Sequence, residues 1–195
     1  MNDEKIAKAA ANRYAAEHPA DIRTDTVKIG EASFEFEQTG IMDDKVKIFL
    51  PAGFSDMPED AAKIKYPSSD RPKIIKSNDR GDVNFTFDTL DCPLDDDSVA
   101  DLTDTMKNTM KRLNPSYRFF GTGKLETPNE KVLGFMEFKS TAIDDFLYNV
   151  MFFAPLEGRA LMGNFCCPYG AGADWKPVVM RILSEIEIGE EKTPC

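Results

Sequence analysis

Histidine is nearly absent from this chain of 195 residues: His18 is the only one, so any mechanism needing two imidazoles is excluded. Cysteine is sparse too, and Cys92, Cys166, Cys167 and Cys195 contain no C-x-x-C spacing of the kind metal sites use. No segment approaches the roughly 18 uninterrupted apolar residues of a membrane span. The N-terminus, Met-Asn-Asp-Glu-Lys followed by an alanine-rich polar stretch, lacks the basic-then-apolar order of a secretory signal. The chain is therefore expected to be cytoplasmic, without membrane insertion. Cations are the minority charge: 24 Lys plus Arg against 34 Asp plus Glu give a net charge of −10. A chain this acidic repels phosphate backbones, so nucleic acid is not an expected partner.

The usual catalytic signatures are missing as well. There is no G-x-S-x-G elbow, and His18 lies in a polar N-terminal segment away from any candidate nucleophile. Gly121-Thr122-Gly123 runs into Lys124-Leu125-Glu126 and fails the phosphate-loop pattern. Acidic pairs at Asp43-Asp44, Asp95-Asp96-Asp97 and Asp144-Asp145 have the oxygen chemistry for Mg²⁺ or Ca²⁺. None has EF-hand spacing, and each falls where a turn or helix start favours Asp. The expectation is no metal, no cofactor and no catalysis. Arg80-Gly81-Asp82 and the sequon Asn84-Phe85-Thr86 are explained as parts of a hairpin. For the adjacent Cys166-Cys167, a strained disulfide is weighed against simple packing, in which consecutive strand residues face opposite sides and one cysteine points inward. Packing is the favoured reading.

What is present is a globular composition, 42% hydrophobic and 30% charged. Residues 3–17 read as a helix with Ile6, Ala10 and Tyr14 on a thin stripe, ended by His18-Pro19. Strands are expected at Val27–Ile29, through Phe34-Glu35-Phe36-Glu37, and at Val46–Leu50, with a short helix over Pro58–Ile64. Lys73–Lys76 and Val83–Leu90 form a hairpin around Asn78-Asp79-Arg80-Gly81. A helix over Ser98–Leu113 is expected to be capped by Ser98 with Asp101. Its apolar face would carry Val99, Leu102, Met106, Met110 and Leu113 into the core. Four hairpin-linked strands follow, Tyr117–Leu125, Lys131–Lys139, Phe146–Ala154 and Arg159–Cys166. The last helix is capped by Asp174 and buries Trp175, Val178, Val179, Ile182 and Leu183, and Ile186 and Ile188 form a final strand. Strands apolar on both sides call for cover on both sheet faces, so the fold class is α+β. It is an α/β/α sandwich with a central, mostly antiparallel sheet.

The ending Leu161-Met162-Gly163-Asn164-Phe165-Cys166-Cys167-Pro168, a short loop, then Trp175-Lys176-Pro177 and Ile182-Leu183-Ser184-Glu185-Ile186 resembles a bacterial family of PsbP-like fold. Ile64-Lys65-Tyr66-Pro67 with Arg71-Pro72 is similar to bacterial members too. The fold is shared by a photosystem II accessory protein and a yeast Ran-binding import factor. The resemblance covers roughly residues 45 to 189, allowing the usual uncertainty at element ends. The resemblance implies a non-enzymatic accessory or binding protein, though fold alone does not fix function.

The division expected is an N-terminal helix and strand extension over 1–40 and a PsbP-like domain over 41–195. The N-terminal helix is a candidate homo-oligomer contact. The function expected is protein–protein binding through a sheet edge or a groove beside Tyr66–Pro72. The alternative is a small-ligand carrier with an aromatic pocket between sheet and helix; a metal-assisted enzyme comes last. Candidate binding residues are Tyr66 and Arg71 in an irregular segment, joined by Tyr169 and Trp175 if these line the same groove. Trp175 also continues the apolar stripe of the last helix, which favours a core role for it. Met106 and Met110 are read as core.

Overall fold

The computed structural model describes residues 20–142 and 145–189, so the expected helix over 3–17, His18, Asp144 and Cys195 lie outside the described residues. Strands β1 (Val27–Ile29) and β2 (Ala32–Phe34) form a hairpin turning at Gly30, whose φ is +59°. Strands β3 (Phe36–Ile41) and β4 (Val46–Pro51) pair antiparallel, and β12 (Glu187–Ile188) adds to the other side of β4. The main sheet has seven strands in the order β5-β6-β7-β11-β10-β9-β8, every neighbouring pair antiparallel. These are β5 (Ser55–Asp56), β6 (Ile74–Ser77), β7 (Asn84–Pro93), β8 (Arg118–Glu126), β9 (Val132–Thr141), β10 (Phe146–Leu156) and β11 (Arg159–Pro168).

Local chemistry sets the turns. The β6–β7 hairpin closes through Gly81 N–H donating to the Asn78 carbonyl at 2.9 Å, with Gly81 at φ +68°. Glu157 and Gly158, at φ +51° and +75°, form the tight two-residue turn between β10 and β11, whose twist suits paired strands. Asp43 and Asp44 occupy left-handed geometry in the β3–β4 turn, where a short acidic side chain is tolerated.

Each face of the main sheet is covered, which makes the architecture the expected α+β sandwich. On one side helix α2 (Val99–Leu113) lies over β8, β9 and β10, and Val99, Met136, Phe138 and Phe153 form a small core. Gly134 lets that helix approach: a Cβ there would sit 2.7 Å from Val99 Cγ1. On the other side helix α3 (Gly172–Ser184) and the three-stranded sheet close over Phe85, Phe87, Phe152 and Phe165, all completely buried. Helix α1 (Glu59–Lys65) is short and buries only Ala62. Among the described residues no helix is long and apolar enough to cross a membrane.

Several expectations are corrected in detail. Phe34 and Phe36 do not share a strand: Phe34 ends β2, Phe36 begins β3, and the two belong to different sheets. Ser98 does not cap α2 with its own side chain. It pairs with Asp95 instead: the Ser98 amide donates to Asp95 Oδ1 at 2.9 Å, and Asp95 is held below the ordinary carboxylate range by its hydrogen bonds with Ser98. Asp174 is not a cap either, because a 3₁₀ turn over Tyr169–Ala171 runs directly into α3 and leaves Asp174 within its first turn. Leu113 is 69% exposed, so the apolar stripe of α2 is not buried to its last turn. Cys166 and Cys167 are free and both buried, because both faces of β11 are covered rather than one.

Residues 22–29 are tied into the core. Ile22, Val27 and Ile29 are buried with the α3 side, and Arg23 and Arg181 both pair with Glu185. The expected division at 40/41 falls inside β3.

Candidate functional site

A depression of about 450 Å³ opens between the start of α3 and the β8–β9–β10 end of the main sheet, and Phe120, Glu137, Tyr148, Tyr169 and Lys176 line it. Its wall is made by an irregularity in β8. Phe119 pairs with Phe138 and Gly121 with Glu137, so Phe120 is an extra residue, a β-bulge that re-aims one side chain. The Phe120 ring reaches Tyr169, with centroids 6.4 Å apart, while Phe119 remains on the α2 side against Phe138. Gly121, opposite Glu137, leaves open space where a Cβ would stand.

Strand alternation supplies the floor. Met136 and Phe138 point toward α2, so Glu137 and Lys139 point toward α3. Glu137 is 8% exposed and its carboxylate is satisfied: the Tyr148 hydroxyl donates at 2.9 Å and Lys176 Nζ lies 2.9 Å away. Burial, and then the adjacent Glu137 carboxylate, push the Tyr148 hydroxyl well above the ordinary phenol range. Tyr148 thus stays a proton donor to the Glu137 carboxylate, which Lys176 also contacts.

The rim is aromatic and cationic. Lys139 Nζ stands 3.5 Å from the Phe146 ring centroid and 4.4 Å from that of Tyr169. Arg118 is the cross-strand partner of Lys139 and shares its face, exposed to solvent. Phe120, Phe146 and Tyr169 are 52%, 44% and 40% exposed, three of the five exposed large apolar side chains among the described residues.

The four residues singled out from sequence are not gathered in one place. Tyr169 belongs to this depression. Trp175 is buried in the α3 core, 5.4 Å from the Phe165 ring and 5.5 Å from Phe34, and only borders a separate cleft with Arg80 and Asp174. Arg71 is half-buried beside Asp56, Glu59 and Pro72 in a third, smaller cleft. Tyr66 follows α1 and lies near Cys166; burial raises its hydroxyl above the ordinary range. Cys166 lies between Phe165 and Cys167, which both enter the α3-side core, so Cys166 points to the opposite face. The groove joining Tyr66 and Arg71 to Tyr169 and Trp175 is therefore not formed.

The acidic clusters have structural partners. Asp95 holds Ser98, and Asp96 Oδ1 accepts the Val132 amide at 2.7 Å, which clips the start of α2 to β9. No cluster of three or more His, Cys, Asp or Glu side chains among the described residues could hold a metal ion. Sequence reasoning missed Phe120, Glu137, Lys139, Phe146, Tyr148 and Lys176. The available signal was Glu137 itself, a carboxylate inside the apolar run Leu133-Gly134-Phe135-Met136-Glu137-Phe138.

No family model matches the chain, and the comparison with curated proteins finds no match. Solved structures do share the fold. The cyanobacterial PsbP (CyanoP) of Synechocystis aligns with a TM-score of 0.57 at 12% identity, covering 85% of this chain and 98% of its own. The Ran-binding protein Mog1p of Saccharomyces cerevisiae aligns with a TM-score of 0.48 at 9% identity, over 80% of this chain and 96% of its own. A Pseudomonas aeruginosa protein of unknown function aligns with a TM-score of 0.46 at 7% identity, over 80% of this chain and 99% of its own. The fold is PsbP-like.

Proposed function

We propose that this chain is a non-catalytic binding protein that docks a protein partner through the aromatic depression at the end of β8, β9 and β10. The observation that carries this reading is the exposed aromatic cluster of Phe146 and Tyr169 around Lys139, with Phe120 against Tyr169. Exposed aromatics gathered on one surface, with a cation among them, are what binding hot spots are made of. The depression's buried carboxylate is engaged by Tyr148 and Lys176, an arrangement that suits a binding surface better than a general base. Tyr66 with Arg71 remains a proposed second contact surface.

The volume of about 450 Å³ favours one competing reading, a small-ligand carrier, since pockets for small molecules fall in that size range. The test is affinity capture from native lysate with the wild-type chain and with the Phe120→Ala/Tyr169→Ala double variant in parallel. A stoichiometric protein recovered by the first and lost by the second supports docking. Equal recovery by both, or a thermal shift with small aromatic molecules and no protein partner, overturns it.

A further inference from the structure

Resting on that reading, we infer that the partner presents an acidic peptide segment carrying an aromatic or leucine side chain. Charge complementarity, set against the background of the whole molecule, points to this occupant. The chain carries −10 overall, yet the described charged side chains on and beside this surface are Arg118, Lys139 and Lys176 against the carboxylates of Glu137 and Asp145. Glu137 neutralises Lys176 at the floor. Lys139 and Arg118 form no ion pair among the described residues: Lys139 Nζ lies against the Phe146 and Tyr169 rings, and Arg118 is exposed. Asp145 Oδ1 accepts the Phe146 amide at 2.7 Å and keeps its charge beside the rim, so the cations exceed the two carboxylates by one.

The shape fits the same occupant. Phe120 and Tyr169 line one side of a depression with room for one apolar side chain. A compact phosphate dianion suits it less well, because the Glu137 carboxylate lies at the bottom. An extended segment places its apolar anchor over Glu137 and Tyr148 and its carboxylates at the rim, by Lys139 and Arg118. Such an arrangement steers acidic partners and repels basic ones, the usual contribution of rim charges.

The experiment pans a random linear peptide library on the full-length chain and measures enriched peptides by fluorescence polarisation. The expected result is enrichment of acidic sequences with an aromatic residue or leucine. Their binding should weaken about tenfold with Lys139→Glu and again with Phe120→Ala. It should also weaken as salt rises, with both variants keeping the wild-type melting temperature. Enrichment of neutral or basic peptides, no enrichment at all, or acidic peptides that bind Lys139→Glu as tightly as wild type would each overturn the inference. If the inference fails while the captured protein still depends on Phe120 and Tyr169, docking at this surface stands and only the partner's chemistry is wrong. Loss of both removes the surface itself.

Discussion

Gly172 lies flat against the ring of Tyr148: a Cβ at this position would stand 2.7 Å from the ring carbon Cγ and 2.8 Å from Cβ. Helix α3 therefore begins directly on the tyrosine whose hydroxyl holds Glu137, and the depth of the depression depends on that approach.

Gly172→Ala is expected to push the helix start away from Tyr148 and to destabilise the fold by about 1–3 kcal/mol, the usual effect of overpacking. Thermal or urea denaturation measures this directly. An unchanged midpoint would mean that the helix start yields freely and that the close packing has no energetic weight.

Alkaline pH should weaken the fold through Tyr148 and Tyr66. Burial raises both hydroxyls above the ordinary value of 10.0 in the folded chain, with Glu137 adding to the effect at Tyr148. The unfolded chain releases these protons near the ordinary value while the folded chain keeps them. Their contribution is therefore fully present below that pH and is lost as pH rises above it. Urea midpoints measured from about pH 9 to pH 11 should fall, and Tyr148→Phe should flatten part of the decline. At neutral pH the same variant should lose about 1–3 kcal/mol, because the buried carboxylate loses a donor.

The sequence carried the main outline because period and turn chemistry are local. The β6–β7 hairpin at Asn78–Gly81, the meander β8–β11 and the buried stripe of α3 all follow from residues close in the chain. What it did not carry depends on contacts across the fold. Phe34 and Phe36 alternate as one strand would, and only packing assigns them to different sheets. The bulge at Phe120 is a register offset between β8 and β9, and nothing within Tyr117–Leu125 marks it. Lys139, Phe146 and Tyr169 come from three separate segments. Tyr169 was singled out as one aromatic in a loop; its partners were beyond local reading.

The exposed aromatics should matter little to stability. Phe120→Ala and Tyr169→Ala, at residues about half exposed, are expected to shift the folding free energy by only about 0.5 kcal/mol. Calorimetry would check this. A loss of several kcal/mol in either variant would make the residue a packing element and remove it from the docking surface.

Core truncations should divide by burial. Phe153 is completely buried, so Phe153→Ala should lose about 3–5 kcal/mol. Leu102 is half-buried on α2, and Leu102→Ala should fall at or below about 2 kcal/mol, the low end for such changes. Urea denaturation of the two variants side by side tests the ranking.

The paired cysteines should be inert while the fold holds. Burial pushes the Cys166 thiol up to about 11 and the Cys167 thiol up to about 12, so almost none of either is thiolate at neutral pH. Alkylation followed by peptide mass spectrometry should find Cys92, which is half-exposed, labelled at least about a hundredfold faster than either. Denaturation should equalise the rates. Rapid native labelling of Cys166 would contradict its burial.

The extra residue in β8 also bears on how copies of this chain meet one another at high concentration. β8 is the outermost strand of the seven-stranded sheet, and a long, regular outer strand invites another chain to continue the ladder. The ladder here is broken after Phe119, and Arg118 and Lys124 carry like charge along it. The backbone offset that turns Phe120 toward Tyr169 thus also discourages edge-to-edge fibre growth. Deleting Phe120 would restore an even strand and, with it, the hazard of aggregation.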